Sequence, residues 1–251
     1  GQRSRKKGKK GKRTKLRILY ANSRGIKSKL SCVKNTLQET EADVGLYCET
    51  MLGNNQLVHI DGYTFFGKAR KEGRGGGVGI CVKNSKKAVV APHYSERALE
   101  IMWVSLAREH QKPLYFGVYY GKQESTSAER VNAEMADLAN ELEEMKNEGE
   151  LILCMDANAK IGLLGEEPSR NGKMIQKVFE ECGIVVMNAT SKCKGVITRQ
   201  NHSKEEEKSA IDLITATYDA SQAITSVLID ESGDFRLRGK NQSDHNTILV
   251  D

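Results

Sequence analysis

The chain consists of short apolar runs separated by polar turns, a pattern typical of a protein rich in β-strands. Residues 16–20 alternate between apolar and polar side chains, as a half-buried strand does. Similar runs predict further strands at 44–48, 63–66, 78–82, 99–104, 114–120, 151–155, 184–187, 196–198, 210–216, 224–229 and 247–250. Apolar residues at helical spacing predict three helices, near residues 30–37, over 127–147 and near 175–182.

The order of these elements predicts the architecture. Strand–helix–strand units alternate with strand–strand hairpins, and the two β-rich halves have comparable lengths. A single doubly wound sheet would need more helices than the pattern provides. We therefore predict an α/β fold, a four-layer α/β/β/α sandwich of two packed mixed sheets. With 251 residues and only three prolines, residues 16–251 are expected to form one domain.

The net charge of +6 is unevenly distributed along the chain. Residues 1–17 carry ten of the 39 basic residues and none of the 33 acidic ones, so the remainder has 29 basic against 33 acidic side chains. A basic run without apolar residues repels itself, and we expect residues 1–15 to form a disordered tail. Such a tail could bind a polyanion, serve as a nuclear address or have no role beyond solvation.

The cysteines and the apolar runs bear on the cellular compartment. The six cysteines include no Cys-x-x-Cys pair, and Cys48, Cys81 and Cys154 lie within apolar strand-like runs. Reduced and mostly buried thiols are the expectation, which favours a nuclear or cytosolic protein. The sequence shows no secretory signal and no apolar run of membrane-spanning length, so no membrane association is expected.

Several predicted strands end in polar residues that are capable of chemistry. Four residues lie at or just beyond the carboxyl end of a strand: Asn22, Glu49, Tyr119 and Asp156. Ligands of α/β proteins gather at such positions. A strand-end Glu is usually a solvated charge, but beside other carboxylates Glu49 could bind a hard cation such as Mg²⁺. Asp156 and Asn158 face the same side of an extended segment and could orient a water, although an Asx turn would also explain the pair.

His245 is the histidine best suited to chemistry, because it directly follows Asp244. Asp212 lies inside an apolar strand-like run, where a carboxylate avoids burial unless it is paired. A buried Asp that holds a His in one tautomer, or keeps it protonated, is a recurrent catalytic device. The alternative is a purely structural polar pair.

These residues belong to an ordered series: Asn22, Glu49-Thr50, Gly76-Gly77-Val78-Gly79, Tyr119, Asp156-x-Asn158, Thr198, Ile211-Asp212 and Ser243-Asp244-His245. The series resembles that of the endonuclease/exonuclease/phosphatase superfamily, which includes DNase I-like and apurinic/apyrimidinic endonucleases. The segments around Asn22, Glu49 and Asp156 resemble the endonuclease domains of non-LTR (LINE-type) retrotransposons. The resemblance implies the four-layer sandwich and Mg²⁺-dependent cleavage of phosphoester bonds by residues 16–251.

The resemblance also implies how a metal and a water would be held. Glu49 would bind Mg²⁺, or alternatively Mn²⁺, with Asn22 nearby and Asp244 assisting. Asp156 would align or activate a water that Asn158 positions. Direct attack of this water on phosphorus would leave a 5′-phosphate and a 3′-hydroxyl.

Substrate contacts follow from the same resemblance. His245, supported by Asp212, would contact the scissile phosphate, and Tyr119 would contribute a further hydrogen bond. Contacts with nucleic acid are expected from Arg24, Thr198, Arg199, Asn201 and Ser243.

The retrotransposon domains that this chain resembles nick chromosomal DNA, and the new 3′-hydroxyl primes reverse transcription of the element RNA. The implied partners are double-stranded DNA, the reverse transcriptase of the same polyprotein and its RNA, in the nucleus. The alternatives are an RNA nuclease, a repair endonuclease, a small-molecule phosphatase and a non-catalytic nucleic-acid-binding module. Arg24 argues against abasic-site repair, because repair endonucleases commonly have an acidic residue at this position.

Overall fold

The computed structural model of the protein describes residues 15–54, 56–71, 75–91, 99–108, 111–201, 203–204, 206–239 and 242–251. Apart from Lys15, the predicted tail lies outside the described residues. The strands are, in chain order, β1 (Ile18–Asn22), β2 (Val44–Cys48), β3 (Tyr63–Lys68), β4 (Val78–Lys83), β5 (Ala88–Val90), β6 (Ile101–Leu106), β7 (Leu114–Tyr120), β8 (Glu150–Asp156), β9 (Val185–Val186), β10 (Cys193–Lys194), β11 (Arg199–Gln200), β12 (Lys208–Ser209), β13 (Asp212–Ala216), β14 (Val227–Ile229) and β15 (Ile248–Val250). The helices are α1 (Leu30–Glu39), α2 (Ala128–Glu148), α3 (Arg170–Glu181) and α4 (Tyr218–Ala223).

The strands form two large sheets and a short hairpin. The first sheet has the order β10-β14-β15-β1-β2-β4-β3, and the second has the order β5-β6-β7-β8-β13-β9. In the first sheet β1 and β2 are parallel while β2 and β4 are antiparallel. In the second sheet β7 and β8 are parallel while β8 and β13 are antiparallel. Both sheets are therefore mixed, as the sequence predicts, and β11 pairs with β12 in the hairpin.

The two sheets bury one face against each other. Because successive side chains of a strand point to opposite faces, Ile18 and Tyr20 of β1 enter this inter-sheet layer, and Leu19 packs beneath α1. β8 follows the same rule, with Cys154 in the inter-sheet layer and Leu153 against the helices. The alternation means that each strand position belongs either to the layer between the sheets or to a helix-covered face.

Helices cover the outer faces of both sheets. α1 packs Val33 and Leu37 against the first sheet. Leu138 and Leu142 of α2 and Phe179 of α3 form one apolar cluster with the second sheet. The resulting order of helix, sheet, sheet and helix confirms the predicted four-layer sandwich. None of the helices in the described ranges combines the length and the apolarity that a membrane crossing requires.

The predicted strand at 196–198 is wrong. The backbone nitrogens of Val196 and Ile197 donate to the carboxylate of Glu231, each at 2.7 Å, instead of to a neighbouring strand. β10 and β11 lie on either side of this segment. The strand predicted at 184–187 is reduced to β9, because Met187–Ala189 form a 3₁₀ turn.

The packing of β6 against β7 generates a stability prediction. Gly117 of β7 lies directly opposite Trp103 of β6, whose side chain is fully buried. A Cβ at Gly117 would lie 2.4 Å from the indole ring, so the ring or the backbone would have to move. We expect Gly117→Ala to lower the free energy of unfolding by about 1–3 kcal/mol, the usual cost of overpacking a core.

Urea denaturation of the wild type and the variant measures this loss. Gly53→Ala is the control, because a Cβ at Gly53 meets no atom closer than 3.8 Å. If the two variants proved equally stable, the close packing of Gly117 against Trp103 would be contradicted.

Candidate active site

The layer between the sheets changes from apolar to polar at one end of the sandwich. Asn22 is the last residue of β1, and Asp156 is the last residue of β8. In the second sheet, Asp156 lies beside Tyr120 of β7 and Asp212 of β13. Each of these four residues continues the inward-facing row of its strand, because residues two apart share a face. The strands therefore bring two carboxylates, an amide and a phenol to one place.

The Asn22 side chain connects the two sheets. Its amide nitrogen donates to Asp156 Oδ2 at 2.8 Å and to Glu49 Oε1 at 3.2 Å. Its amide oxygen accepts a hydrogen bond from the backbone nitrogen of Arg24 at 3.1 Å. The hydroxyl of Tyr120 donates to the same Glu49 oxygen at 2.7 Å. Neutral donors thus hold one oxygen of Glu49 and link it to Asp156.

His245 completes the network from the opposite side. Its Nδ1 lies 2.8 Å from Asp212 Oδ2, and the hydroxyl of Tyr20 donates to Asp212 Oδ1 at 2.7 Å. Its Nε2 lies 3.9 Å from Asp156 Oδ2 and 3.8 Å from Asp244 Oδ1. His245 and Asp212 are both buried. Asp212 therefore orients the imidazole so that Nε2 faces the other carboxylates.

The electrostatics of this pair give the two groups different protonation states. Burial lowers the pKa of His245, but the charges of Asp212 and Asp156 outweigh it and raise the pKa to about 9. Burial and the charge of Asp212 raise the pKa of Asp156 to about 7, against the opposing effect of His245. At neutral pH the imidazole is therefore protonated. The pKa of Asp156 lies near neutral pH, which is the value that suits a general base.

Three loop residues of the site have left-handed backbone conformations that non-glycine residues rarely adopt. Arg24, Glu49 and Asn158 have φ values of 40°, 50° and 47°. Hydrogen bonds hold these loops, including Gly25 N to Glu49 O at 2.8 Å and Asn158 N to Asp156 Oδ1 at 2.9 Å. Local strain of this kind clusters at functional sites, where the surrounding contacts must maintain it.

The network opens into a cavity of about 560 Å³. Its lining includes the imidazole of His245 and the side chains of Glu49, Asn158, Arg24, Arg199 and Asp244. With Lys160 included, the walls combine carboxylates with four cationic groups and contain few apolar residues. A cavity of this composition suits a small, charged, strongly hydrated group such as a phosphate.

Two groups of side chains could hold a metal ion. Ligand atoms of Asp156, Asp212 and His245 lie within 4.8 Å of one another. However, both oxygens of Asp212 accept hydrogen bonds, and His245 carries a proton at neutral pH. Glu49 fits better, because among the described residues its Oε2 makes no hydrogen bond or ion pair and its side chain lines the cavity. A carboxylate oxygen with open coordination positions for water matches the preference of Mg²⁺.

The structure does not place Tyr119 in the site, and that prediction is wrong. Tyr119 points to the helix-covered face of the second sheet, where its hydroxyl donates to Glu134 Oε1 at 2.6 Å. Tyr120 occupies the site instead. Phe116, Val118 and Tyr120 share the inward face of β7, so the period-two pattern contained the signal for this assignment. Tyr20, two residues before Asn22, was missed for the same reason.

Thr198 and Ser243 are also misassigned as nucleic-acid contacts, because both are buried. Thr198 Oγ1 accepts hydrogen bonds from the backbone nitrogens of Ile211 and Asp212 at 2.9 and 3.0 Å. Ser243 Oγ donates to Asn22 O at 2.8 Å and accepts from His245 N at 3.2 Å. Their hydroxyls brace the backbone that carries the site residues.

Asp244 is paired with two arginines, and its predicted role as a metal ligand stays a prediction. Arg24 Nη1 lies 3.1 Å from its Oδ1, and Arg199 Nε lies 3.0 Å from its Oδ2. Burial alone would raise the pKa of this carboxyl, but the neighbouring cations lower it below its usual value. Both arginines line the cavity, as predicted for nucleic-acid contacts. Asn201 lies in the adjoining hairpin, where its amide nitrogen donates to Glu207 Oε2 at 2.8 Å.

Asn158 lies beside Asp156 as the sequence suggests. Its backbone nitrogen closes an Asx turn onto Asp156, and its side-chain amide donates to Gly121 O at 3.0 Å. Asn158 is also one of the residues that line the cavity. The Asx turn and a water-positioning role are therefore compatible.

Sequence comparison finds one family model that matches the chain. It is described as endonuclease-reverse transcriptase and matches residues 114–249, more than half of the 251 residues. No curated protein matches the chain in sequence.

Solved structures with the same fold cover 94% of this chain. The endonuclease domain of TRAS1, a telomere-specific non-LTR retrotransposon, is 19% identical with a TM-score of 0.72 over 98% of its own length. An AP endonuclease from Archaeoglobus fulgidus is 17% identical with a TM-score of 0.75 over 99% of its length. The 3′-5′ exonuclease NExo from Neisseria meningitidis is 15% identical with a TM-score of 0.73 over 99% of its length. These likenesses confirm the DNase I-like sandwich.

The protonated His245 generates a prediction about stability and pH. Its pKa is about 9 in the folded state, above the ordinary value of 6.5, so its pairing with Asp212 stabilises the fold fully below pH 6.5. This contribution is lost as the pH rises through 9. We expect the wild type to lose a few kcal/mol more than His245→Gln between pH 6.5 and 9.5.

Urea denaturation of both proteins in EDTA measures this difference, and the comparison cancels the groups whose titration does not depend on His245. Parallel stability–pH profiles for the two proteins would contradict a charged imidazole paired with Asp212.

Proposed function

The chain belongs to the endonuclease-reverse transcriptase family, and from this premise we propose that it is a Mg²⁺-dependent DNA endonuclease of a non-LTR (LINE-type) retrotransposon. The enzyme nicks one strand of double-stranded DNA. The reaction leaves a 3′-hydroxyl that primes reverse transcription of the element RNA. Its partners are the target DNA, the reverse transcriptase of the same polyprotein and its RNA, and it acts in the nucleus.

The observation that carries the proposal is the opposition of Asp156 and His245 at the cavity. Asp156 Oδ2 and His245 Nε2 lie 3.9 Å apart, and their pKa values of about 7 and about 9 give a base and a cationic donor at neutral pH. A water held by Asp156 attacks phosphorus and transfers a proton to the carboxylate as the bond between phosphorus and the 3′ oxygen breaks. The departing 3′ oxygen takes a proton from solvent water and becomes the 3′-hydroxyl. His245 stabilises the charge that develops on the phosphate oxygens.

The other side chains hold these groups in place. Asn22 donates to Asp156 Oδ2 and fixes the orientation of the base. Asn158 follows on the same loop and positions the water. Glu49 holds the metal through its open oxygen, with Asn22 beside it. When bound, the divalent cation supplies charge stabilisation at the phosphate.

The surface around the site supports a polyanionic substrate. A second cavity, of about 700 Å³, is lined in part by Tyr120. Five basic side chains line it beside three acidic ones: Lys68, Arg70, Lys71, Lys122 and Arg130 beside Glu100, Glu134 and Asp137. The Arg70 guanidinium lies 5.1 Å from the centre of the Tyr120 ring. Basic side chains thus line both cavities. This arrangement suits a nucleic-acid backbone with several phosphates better than it suits a small phosphoester with one.

A plasmid assay tests the reaction. We expect supercoiled DNA to be nicked with Mg²⁺ or Mn²⁺ and to remain intact in EDTA. A polymerase should extend the nick directly, because the product has a free 3′-hydroxyl. Asp156→Asn and His245→Gln should each lower the rate by about 10²–10⁴-fold.

A substrate panel separates the proposal from its alternatives. RNA, abasic DNA and small phosphoesters are tested beside the plasmid at equal enzyme concentration. Faster cleavage of RNA or of an abasic site, or hydrolysis of small phosphoesters alone, would replace the proposed substrate. Binding of DNA without any cleavage would identify a non-catalytic module.

The two adjacent tyrosines provide a matched pair of variants. Tyr120→Phe removes the hydrogen bond to Glu49 and should lower the nicking rate about 10–100-fold, the typical loss for a hydrogen bond to a charged group. Tyr119→Phe removes the bond to Glu134 on the other face and should leave the rate near that of the wild type. Initial nicking rates at saturating metal measure both. The reverse order of effects would refute the assignment of Tyr120 to the site.

A further inference from the structure

We propose that Arg24 and Arg199 form a clamp for one phosphate of the nucleic-acid strand, next to the scissile phosphate, and that Asp244 anchors this clamp. The inference rests on the proposed function, because it names the part of the substrate that this side of the site binds. It also removes Asp244 from the metal ligands.

The first observation is the shared carboxylate. Asp244 accepts from Arg24 Nη1 at 3.1 Å through Oδ1 and from Arg199 Nε at 3.0 Å through Oδ2. The Asp244 side chain is only 10% exposed, whereas those of Arg24 and Arg199 are 44% and 43% exposed. One mostly buried anion therefore holds two cations that both line the cavity. The excess positive charge faces the space that the substrate would occupy.

The second observation is the donor capacity that remains. A guanidinium has five N–H donors. Among the described residues, the only side-chain hydrogen bond of Arg199 uses Nε, so both of its Nη groups remain for a ligand. Arg24 uses Nη1 alone, so its Nε and Nη2 also remain. Guanidinium forks match the geometry of phosphate oxygens, and two forks brought together by one carboxylate can converge on a single phosphate.

The third observation is that the backbone fixes both arginines before any ligand binds. Arg24 has φ 40°, and its carbonyl accepts a hydrogen bond from the buried Lys29 Nζ at 2.8 Å. Arg199 forms a β-bridge with His245, and the next nitrogen, of Gln200, donates to Asp244 O at 2.8 Å. A clamp built in advance loses less conformational freedom on binding.

The position of the clamp identifies which phosphate it takes. Asp244 Oδ1 lies 3.8 Å from His245 Nε2, the atom that faces the scissile phosphate in the proposed reaction. The clamp therefore borders the imidazolium and binds a phosphate adjacent to the one that is cleaved. The chemical class is a phosphodiester of a nucleic-acid backbone.

The same geometry separates Asp244 from the metal. Both of its oxygens are engaged by cations, so a divalent ion would have to displace two charge-assisted hydrogen bonds and lie next to two guanidiniums. Glu49 has no such competitors, because its partners Asn22 and Tyr120 are neutral. The affinity for a divalent metal should therefore depend on Glu49, and the affinity for the nucleic-acid strand should depend on Asp244.

Metal binding is measured first, by calorimetric titration of the whole chain with Mn²⁺ in the absence of DNA. We expect Asp244→Asn to keep the Kd for Mn²⁺ within about twofold of the wild type. Glu49→Gln should raise this Kd at least about tenfold. An equal loss of Mn²⁺ affinity in both variants would make Asp244 a metal ligand and overturn its assignment as an anchor.

Strand binding is measured separately, by fluorescence anisotropy with a DNA duplex in EDTA across a range of salt concentrations. Arg24→Gln and Arg199→Gln should each raise the Kd about tenfold and lower the salt slope by about 0.9, the loss of one phosphate contact. The double variant should lower the slope by the same 0.9, because the clamp holds its one phosphate only when both arginines are present. Arg199→Lys should keep the slope, since the charge remains, but still weaken binding, since the fork is lost.

Lys177→Gln is the control for loss of a positive charge, because Lys177 is exposed on α3 and does not line the cavity. Circular dichroism confirms that each variant is folded. An unchanged Kd in both arginine variants, or a slope that falls by about 1.8 in the double variant, would overturn the single-phosphate clamp. These binding results stand whether or not the plasmid is nicked, so failure of the clamp and failure of the proposed reaction are distinguishable.

Discussion

The site depends on the buried ion pair between His245 and Asp212. His245 precedes β15 of the first sheet, and Asp212 begins β13 of the second, so the 2.8 Å contact joins the two sheets. Burying either charge alone would cost several kcal/mol, and the pair is tolerated because Tyr20 satisfies the remaining oxygen of Asp212. The pair keeps the imidazole of His245 protonated at neutral pH. The positive charge of the imidazole in turn lowers the pKa of Asp156.

The three carboxylates around the cavity differ in their neighbours and therefore in their chemistry. Glu49 has neutral partners and one open oxygen, which suits a cation. Burial and the charge of Asp212 raise the pKa of Asp156 to about 7, against the opposing charge of His245, which suits a base. Asp244 lies between two guanidiniums, which suits an anchor for cations. The same functional group, a carboxylate, thus suits three functions, because burial and neighbouring charge differ between the three positions.

Much of the fold and of the site was accessible from the sequence. Apolar periodicity located the sheets and the helices, and the ordered polar series placed Asn22, Glu49, Asp156 and His245 at strand ends. These predictions succeeded because strand alternation and strand termini are local properties that a single chain displays directly. The predicted strand at 196–198 failed because its nitrogens bond to the side chain of Glu231, a contact 34 and 35 residues away.

The sequence by itself determined the four-layer sandwich and the cluster of acids and imidazole at its end, since both follow from the spacing of apolar and polar residues. The tertiary structure placed Tyr120 beside Asp156, because the register of β7 against β8 pairs these two residues. It also decided that Asp244 faces arginines 220 and 45 residues away in the chain. Partners so distant in the chain meet only after the sheets pack, and the charge of those partners determines what a carboxylate can bind.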